Sequence, residues 1–187
     1  IRPKKQGIDL LSVSGHKIHG PKGIGFLYVR KGIDMSPYIS GGGQEYGLRS
    51  GTENVASIVG MAVALRENIE SLEKNQSHIQ HLESLLLRLL DESDIIYQRN
   101  GADNHVPGNI SLSFPGHSGE SILHRLDLQG ICISTGSACN SKDTVVSHVL
   151  KAIGLPDDIA QSTVRISLGK DNFEDEIISI VESLSKL

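Results

Sequence analysis

Hydrophobic and polar residues form short β-like runs near the start of the chain. Residues 8–13 and 24–29 are rich in Ile, Leu, Val and aromatic side chains, with glycines and a proline between them. This pattern predicts two β-strands joined by a glycine-rich connection. Residues 40–51 hold five further glycines, which predicts a loop of the kind that brings backbone close to a ligand.

Apolar residues then recur every three or four positions, which predicts a helix from residue 53 to residue 91. We place a break in this helix near Asn75. Ser50 and Glu53 have the spacing of a capping box, which would explain the start of the helix without any ligand.

The remainder of the chain alternates between strand-like and helix-like patterns. The predicted strands are residues 109–114, 131–134 and 163–168, and the predicted helices are residues 119–128, 144–153 and 173–187. We place a domain boundary near residue 72, within the long helical region. The part that follows it is expected to fold as a self-contained α/β sandwich.

The first part has too few elements to form a domain alone. Two strands and a glycine-rich loop cannot bury both faces of a sheet. Residues 1–72 are therefore expected to be the tail of a larger domain, so that the sequence begins in the middle of a fold.

Composition narrows the class of protein. The 187 residues are 38% hydrophobic and 21% charged, which is typical of a globular chain able to bury a core. No apolar run is long enough to cross a bilayer and residues 1–9 lack a signal-peptide core, so we expect a cytoplasmic protein without a membrane partner. The formal net charge of -4 gives no general attraction to nucleic acid, and the basic cluster of Arg2, Lys4 and Lys5 is interpreted as solvated surface.

Lys17 is a candidate for covalent chemistry. It follows the first predicted strand and adjoins Ser14, His16 and several glycines, a setting in which a lysine can act as a Schiff-base nucleophile. An ordinary surface lysine is the alternative interpretation. The glycines match neither a Walker motif nor a dinucleotide-binding pattern. His16 and His19 lack the further ligands that a zinc site needs, so no bound metal is expected.

The two cysteines are too few for a disulfide framework, and their spacing matches no zinc motif. Cys132 lies inside the predicted strand 131–134 and is expected to be a buried, apolar side chain. Cys139 lies among small polar residues and is expected on a mobile, exposed loop, where a reactive thiolate can form.

Arg165 interrupts the apolar pattern of the predicted strand 163–168. An inward-facing arginine needs a partner, and its planar guanidinium suits bidentate binding of a substrate carboxylate. A surface salt bridge is the alternative interpretation.

Four motifs occur in order along the chain. They are Ser-Gly-His-Lys with Gly-Pro-Lys-Gly-Ile-Gly, Gly-Gly-Gly-Gln-Glu-x-Gly-x-Arg-Ser-Gly-Thr, Ser-Thr-Gly-Ser-Ala-Cys-x-Ser, and Val-Arg-Ile-Ser-Leu-Gly. Together they resemble the NifS and IscS cysteine desulfurases over essentially the whole chain. The resemblance implies an α/β fold, the C-terminal part of a fold-type I pyridoxal-phosphate-dependent transferase. Residues 1–72 would be the end of the large cofactor-binding domain and its sheet, and residues 73–187 a small C-terminal sandwich domain carrying the cysteine loop.

The resemblance also implies a set of site residues. Lys17 would bind pyridoxal 5'-phosphate covalently, and Ser14 and His16 would contact its phosphate. Thr52 would reach the phosphate in a partner subunit, which implies a homodimer. Arg165 would hold the carboxylate of the substrate, L-cysteine.

Cys139 would be the catalytic nucleophile. Its thiolate would take the sulfur of L-cysteine, leaving a persulfide on the enzyme and releasing L-alanine. Thr135 stands where serine is more usual in a motif typical of enzymes with a long cysteine loop, which donate sulfur to iron-sulfur scaffold proteins and tRNA-thiolating enzymes. Cys139 is also a candidate for a transient iron-sulfur ligand.

The resemblance leaves other functions open. Residues that the family uses to stack on the cofactor ring and to bind its phosphate lie upstream of Ile1, so we expect the 187-residue chain alone to bind the cofactor poorly and turn over little cysteine. The sequence context of Cys139 argues against the aminotransferase reaction that some class V enzymes with the same lysine motif catalyse. Selenocysteine lyase and a noncatalytic fragment that docks a sulfur-acceptor protein are the alternative functions.

Overall fold

A computed structural model describes residues 1–135 and 146–187. The chain divides into two compact units, Ile1–Leu72 and Glu73–Leu187, and each is described by itself. The elements are of mixed α and β type, in agreement with the predicted α/β class. Within the described residues, no helix is both long and apolar enough to cross a membrane.

The first unit contains a two-stranded antiparallel sheet. Strand β1 (Leu10–Ser14) pairs with strand β2 (Gly25–Val29), with Ser14 opposite Gly25. The connection between them begins with a turn of 3₁₀ helix, Gly15–Ile18. The two strands predicted from the first apolar runs are therefore confirmed.

Close packing of the backbone requires a glycine at each end of this connection, at Gly15 and at the first residue of β2, Gly25. A Cβ atom on Gly25 would lie 2.5 Å from the carbonyl oxygen of Val13, and one on Gly15 would lie 2.7 Å from Cγ2 of Ile24. Any larger residue would push the strands or the turn apart. These glycines thus hold the 3₁₀ turn directly against the end of the sheet.

The second glycine-rich segment precedes helix α1 (Val55–Glu70). The predicted capping box at its start is wrong. Ser50 is buried and donates its hydroxyl to the Gly42 carbonyl at 2.7 Å, so it is committed to the loop. The helix is capped by Asn54, whose side chain accepts from the Ser57 amide at 3.2 Å, as is typical of an N-cap.

The long predicted helix is divided at Ser71, earlier than the predicted break near Asn75. Helix α2 (Leu72–Asp91) follows at once. Helix α1 packs on the 3₁₀ turn, because Asn68 Nδ2 donates to the carbonyl of Ile18 at 2.9 Å and to that of Ala64 at 2.8 Å. This contact fixes the backbone of the turn that carries Lys17.

The second unit is built on a three-stranded antiparallel sheet of order β3-β4-β5. Its strands are β3 (Gln98–Arg99), β4 (Asn109–Ser113) and β5 (Thr163–Ser167). Within the described ranges, its further helices are α3 (Gly119–Asp127), α4 (His148–Ala152), α5 (Asp157–Gln161) and α6 (Glu174–Leu184).

One face of this sheet forms the core with α2, α3 and α6. The side chains that are almost wholly inaccessible to solvent are Leu82, Leu86, Leu90, Ile110, Leu112, Phe114, Ile122, Leu126, Val164, Ile166, Ile177 and Leu184. Each such side chain contributes about 1.5–3 kcal/mol through burial. The unit therefore has its own hydrophobic core.

The other face of the sheet is polar because side chains alternate along each strand. Ser111 lies opposite Arg165 and Ser113 lies opposite Thr163. The hydroxyls of Ser113 and Thr163 lie 2.6 Å apart, and Asn100 Nδ2 donates to Ser113 Oγ at 2.8 Å. This face offers hydrogen-bonding groups rather than apolar surface.

Two predictions for this unit need correction. The predicted strand 131–134 is reduced to a single bridge between Ser134 and Arg165, because residues 131–133 form no ladder. The predicted helix 144–153 begins, within the described residues, only at His148, where Ser147 caps it by accepting from the Val149 amide at 3.3 Å. The other predicted strands and helices of this unit are confirmed, with ends that shift by up to three residues.

A buried carboxylate ties helix α2 to the connection before β4. Glu83 is 5% exposed, and its Oε2 accepts from the Gly108 amide at 2.7 Å. Its Oε1 lies 3.0 Å from Arg99 Nη2 and 2.6 Å from His105 Nε2. Burial of the carboxylate is tolerated because three donors surround it.

This arrangement favours the protonated form of His105. Nδ1 faces the carbonyl of Asp103 at 2.8 Å, and Nε2 faces Glu83. Only the imidazolium donates from both nitrogens. The Asp103 carbonyl and then Glu83 raise the pKa of His105 above its ordinary value of 6.5, against an opposing effect of Arg99.

This geometry predicts a pH-dependent loss of stability. Because the folded-state pKa of His105 exceeds that of the unfolded chain, its contribution is complete below pH 6.5 and is lost as pH rises through the folded-state value. We expect the free energy of unfolding to fall by up to about 1 kcal/mol as the pH rises from about 6 into the alkaline range, and His105→Gln to flatten this fall. Urea unfolding across this range is the measurement.

The control for this prediction is His117→Gln, because His117 is exposed and its ring makes no hydrogen bond in the described part of the chain. Two other side chains of the described residues have shifted pKa values. Burial and Asp91 raise the pKa of Tyr97 to about 12, and hydrogen bonds from Asn172 and the Phe173 amide lower the pKa of Glu176, so both groups titrate outside the pH range of this experiment. An unchanged slope in His105→Gln would contradict the assignment.

Candidate functional site

Lys17 lies in the 3₁₀ turn Gly15–Ile18, directly after β1. The turn is closed at both ends by backbone hydrogen bonds, from the Gly15 amide to the Ile24 carbonyl at 2.8 Å and from the Gly20 amide to the Gly15 carbonyl at 2.9 Å. The lysine side chain is exposed, so it projects from a backbone that is fixed by the sheet.

Three donors are clustered in this short segment. Ser14, His16 and Lys17 are all exposed, and none of their side chains makes a hydrogen bond or ion pair within the described residues. A hydroxyl, an imidazole and an ammonium group are suited to a phosphate group, and an amine also suits an aldehyde. The chemistry of this donor set therefore fits pyridoxal phosphate. Within the described ranges, no three histidine, cysteine, aspartate or glutamate side chains are grouped as metal ligands would be. His16 and His19 therefore belong to no such group.

Thr52 lies in the same unit, in the segment between the glycine-rich loop and the cap of α1. It is exposed, and its hydroxyl makes no hydrogen bond to a described residue. The neighbouring Arg49 donates to the Ser50 carbonyl at 3.1 Å, which stabilises the loop just before Thr52. The proximity of Thr52 to a cofactor of another subunit stays a prediction.

Arg165 lies in the second unit, on the polar face of the sheet. Its Nη2 donates to Ser134 Oγ at 3.3 Å, while its Nε is buried and has no partner in the described part of the chain. A buried, unpaired donor on a charged group is costly, and this cost is removed when a ligand supplies an acceptor. The expected alternative of a surface salt bridge is not what the described residues show, because no carboxylate contacts this guanidinium.

Arg165 lines a pocket of about 400 Å³ in the second unit. The lining residues are Arg99, Asn100, Gly101, Ala102, His105, Asn109, Ser111, Ser147, His148, Val149, Leu150, Ile153, Thr163, Val164 and Arg165. Of the two arginines and two histidines in this lining, Arg99 and His105 are paired with Glu83, whereas no carboxylate of the described residues contacts Arg165. The pocket is therefore suited to a small anionic ligand.

Sequence reasoning found only Arg165 among these residues. The pocket joins three stretches of the chain, within residues 99–111, 147–153 and 163–165, and no local motif reveals that they meet. Arg99 lies on a two-residue strand, and His148 follows a helix cap. The buried Glu83 could have been found from the sequence, because it is a charged residue within the apolar face of α2. It lies one helical turn after Ile79 and one residue after Leu82.

The structure tests the prediction made for one of the two cysteines. Cys139, the predicted nucleophile, lies outside the described residues. Cys132 is exposed, so its predicted burial is wrong. Ile131 and Ile133 pack against the core, and since side chains alternate in extended backbone, the thiol between them points away from it.

The class of the protein follows from comparison with known families. The family described as aminotransferase class-V matches residues 1–180. The chain therefore belongs to the class-V aminotransferase family.

Individual proteins of this family that resemble the chain include cysteine desulfurases and NifS-like proteins. The chain is 42% identical over 183 residues to cysteine desulfurase IscS of Dictyoglomus turgidum, covering 97% of this chain and 46% of that protein. A solved structure of a NifS-like protein matches with a TM-score of 0.87 and 38% identity, covering 98% of this chain and 47% of that one. A structure described as SspA in complex with cysteine matches with a TM-score of 0.69 and 37% identity, over 92% and 47% of the two chains.

The chain spans about half the length of the relatives it matches. Its fold is that of the corresponding part of the NifS-like enzymes.

Proposed function

We propose that this chain is part of a pyridoxal-phosphate-dependent cysteine desulfurase. In the proposed reaction the carbon-sulfur bond of L-cysteine breaks, its sulfur bonds to the thiol of Cys139 as a persulfide, and L-alanine leaves. The observation that carries the proposal is the pocket at Arg165, whose buried Nε has no hydrogen-bond partner in the described part of the chain. Relatives named cysteine desulfurase, about two-fifths identical, support the same reaction.

The proposed cofactor-binding group is Ser14, His16 and Lys17, completed by Thr52 toward the cofactor of a second subunit. Lys17 would hold the cofactor covalently through Nζ, and the hydroxyl and imidazole groups would bind its phosphate. When bound, pyridoxal phosphate supplies an electron sink for the bonds that change at the substrate. The exposed, unpaired state of the three side chains around Lys17 supports this assignment.

Arg165 is the proposed binding residue for the carboxylate of L-cysteine. Its guanidinium offers a planar set of donors that matches a carboxylate. The half-buried position lowers competition from water, which strengthens such a contact. A complex with cysteine in a structural relative supports L-cysteine as the substrate.

The proposal extends to the partners that the resemblance implies. Cys139 would pass its sulfur to an acceptor protein or an iron-sulfur scaffold, and a homodimer in the cytoplasm would be the working form. The name cysteine desulfurase IscS of the relatives supports the transfer of sulfur, and the homodimer and its location rest on the resemblance of the motifs.

Mass spectrometry tests the proposed function directly. The protein is incubated with pyridoxal phosphate, reduced with borohydride and, in a parallel sample, exposed to L-cysteine before analysis. We expect a reduced cofactor on Lys17 and one added sulfur atom on Cys139, with weaker labelling of the 187-residue chain than of a chain extended to the length of its relatives. If the extended protein carries neither modification, the proposal is rejected and the docking fragment is favoured. Faster turnover of selenocysteine than of L-cysteine would favour a selenocysteine lyase.

Replacing Arg165 predicts a large loss of substrate binding. Arg165→Ala should lower kcat/KM for L-cysteine by about 100-fold, because the substrate carboxylate would lose a partly buried charged partner. Arg165→Lys should recover only part of the loss, since lysine keeps the positive charge but lacks the planar pair of donors that binds both oxygens of a carboxylate. The control is Arg125→Ala, an exposed arginine of α3, and a change below threefold in Arg165→Ala would contradict the assignment.

A further inference from the structure

We infer that Ser134 is a positioning residue that holds the Arg165 guanidinium in the orientation needed to bind a carboxylate. The inference rests on the proposed function of Arg165 and adds a residue that the sequence motifs left without a role. Ser134 would touch neither substrate nor cofactor and would act through Arg165 alone.

The backbone places Ser134 beside Arg165. The Arg165 amide donates to the Ser134 carbonyl at 2.6 Å, and the Ser134 amide donates to the Arg165 carbonyl at 3.1 Å. Exchange of both hydrogen bonds defines an antiparallel pair whose side chains point to the same face of the sheet. Ser134 is thereby fixed next to Arg165 on the edge of β5 that faces away from β4.

The side chain completes this contact. Ser134 Oγ accepts from Arg165 Nη2 at 3.3 Å, and among the described residues no other side chain hydrogen-bonds the guanidinium. The neighbour on the other side, Ser111, instead accepts from Asn100 Nδ2 at 3.3 Å. One hydroxyl therefore holds the end of a long side chain whose Nε remains unpaired.

This arrangement predicts an effect on binding and not on chemistry. An arginine side chain has several freely rotating bonds, and ordering it costs free energy that the ligand must supply when the protein does not. Without the Ser134 hydroxyl the guanidinium samples other rotamers, so the KM for L-cysteine rises. The rate of the bound substrate is unaffected once the carboxylate is held.

Steady-state kinetics of the complete, cofactor-loaded protein test the inference. Ser134→Ala should raise KM for L-cysteine by about threefold to tenfold, the range for one ordinary hydrogen bond, with kcat changed by less than about twofold. Ser134→Thr, which keeps the hydroxyl, should restore KM. Ser167→Ala is the matched control, because Ser167 lies on the same face of β5, is exposed and makes no side-chain hydrogen bond in the described part of the chain.

A double-mutant cycle separates positioning from a general structural effect. In an Arg165→Ala background, Ser134→Ala should have no further effect on kcat/KM. An equal effect in both backgrounds, or a fall in kcat with KM unchanged, would overturn the inference.

A spectroscopic arm keeps the inference testable if the proposed function fails. In the 187-residue chain, the ¹⁵N-¹H signal of Arg165 Nε should show increased side-chain motion in Ser134→Ala and normal motion in Ser134→Thr and Ser167→Ala. Absence of desulfurase activity in every sample would reject the proposed function and leave this result valid. Unchanged Arg165 motion in Ser134→Ala would reject the positioning role whatever the activity.

Discussion

Replacing Lys17 with alanine is expected to lower the rate of L-cysteine desulfuration by at least about 1000-fold. The physical reason is that the amine would be lost both as the covalent attachment point of the cofactor and as a group able to carry a proton beside it. The turn that presents Lys17 is fixed by backbone hydrogen bonds at Gly15 and Gly20, so the substitution should leave the fold intact.

The measurement for Lys17 combines turnover with the mass of the borohydride-reduced protein. Lys22→Ala is the matched control, since Lys22 is an exposed lysine of the same glycine-rich connection with no contact in the described residues. Lys17→Ala should lose the cofactor label and Lys22→Ala should keep it. A label that stays in Lys17→Ala, or activity within tenfold of the original, would show that another amine holds the cofactor.

Glu83→Ala is expected to destabilise the second unit by about 3–5 kcal/mol, the cost typical of removing one partner from a buried ionic cluster. The substitution leaves the Gly108 amide without its acceptor and Arg99 and His105 without their shared carboxylate. Because whole domains are stable by only about 5–15 kcal/mol, this loss should be visible as a large fall in the urea midpoint.

Two further variants make the Glu83 experiment specific. Glu83→Gln keeps an acceptor for the Gly108 amide and removes the charge, so it should lose less stability than Glu83→Ala. Gln80→Ala is the control on the same helix, since Gln80 is exposed and its side chain makes no contact in the described ranges. A loss below about 1 kcal/mol in Glu83→Ala would mean that the cluster contributes little.

The elements that the sequence predicted well are those with a clear periodicity. The sequence predicts strands β1, β2, β4 and β5 and helices α1, α2, α3 and α6, because apolar residues form a short run or recur at a regular spacing in each of them. Strand β3 and helix α5 are too short, at 2 and 5 residues, to show any period. The predicted strand around Cys132 failed because an apolar run specifies burial on one side without specifying a pairing partner.

The candidate site also has residues that the sequence could indicate and residues that it could not. Ser14, His16 and Lys17 are adjacent in sequence, so a motif could indicate them together. The pocket around Arg165 depends on how β4, β5, α4 and the residues after β3 come together, which is a property of tertiary structure. The partners of Glu83 lie 16 to 25 residues away along the chain, and nothing in their local sequence marks them as neighbours.

The outward orientation of Cys132 affects how sulfur transfer should be assayed. Cys132 offers an accessible thiol seven positions before Cys139, so reagents that count reactive sulfur will include it. Sulfur can also move between thiols by exchange during sample handling. Peptide-level location of the added sulfur, or a Cys132→Ser background, is therefore needed before any persulfide signal is attributed to Cys139.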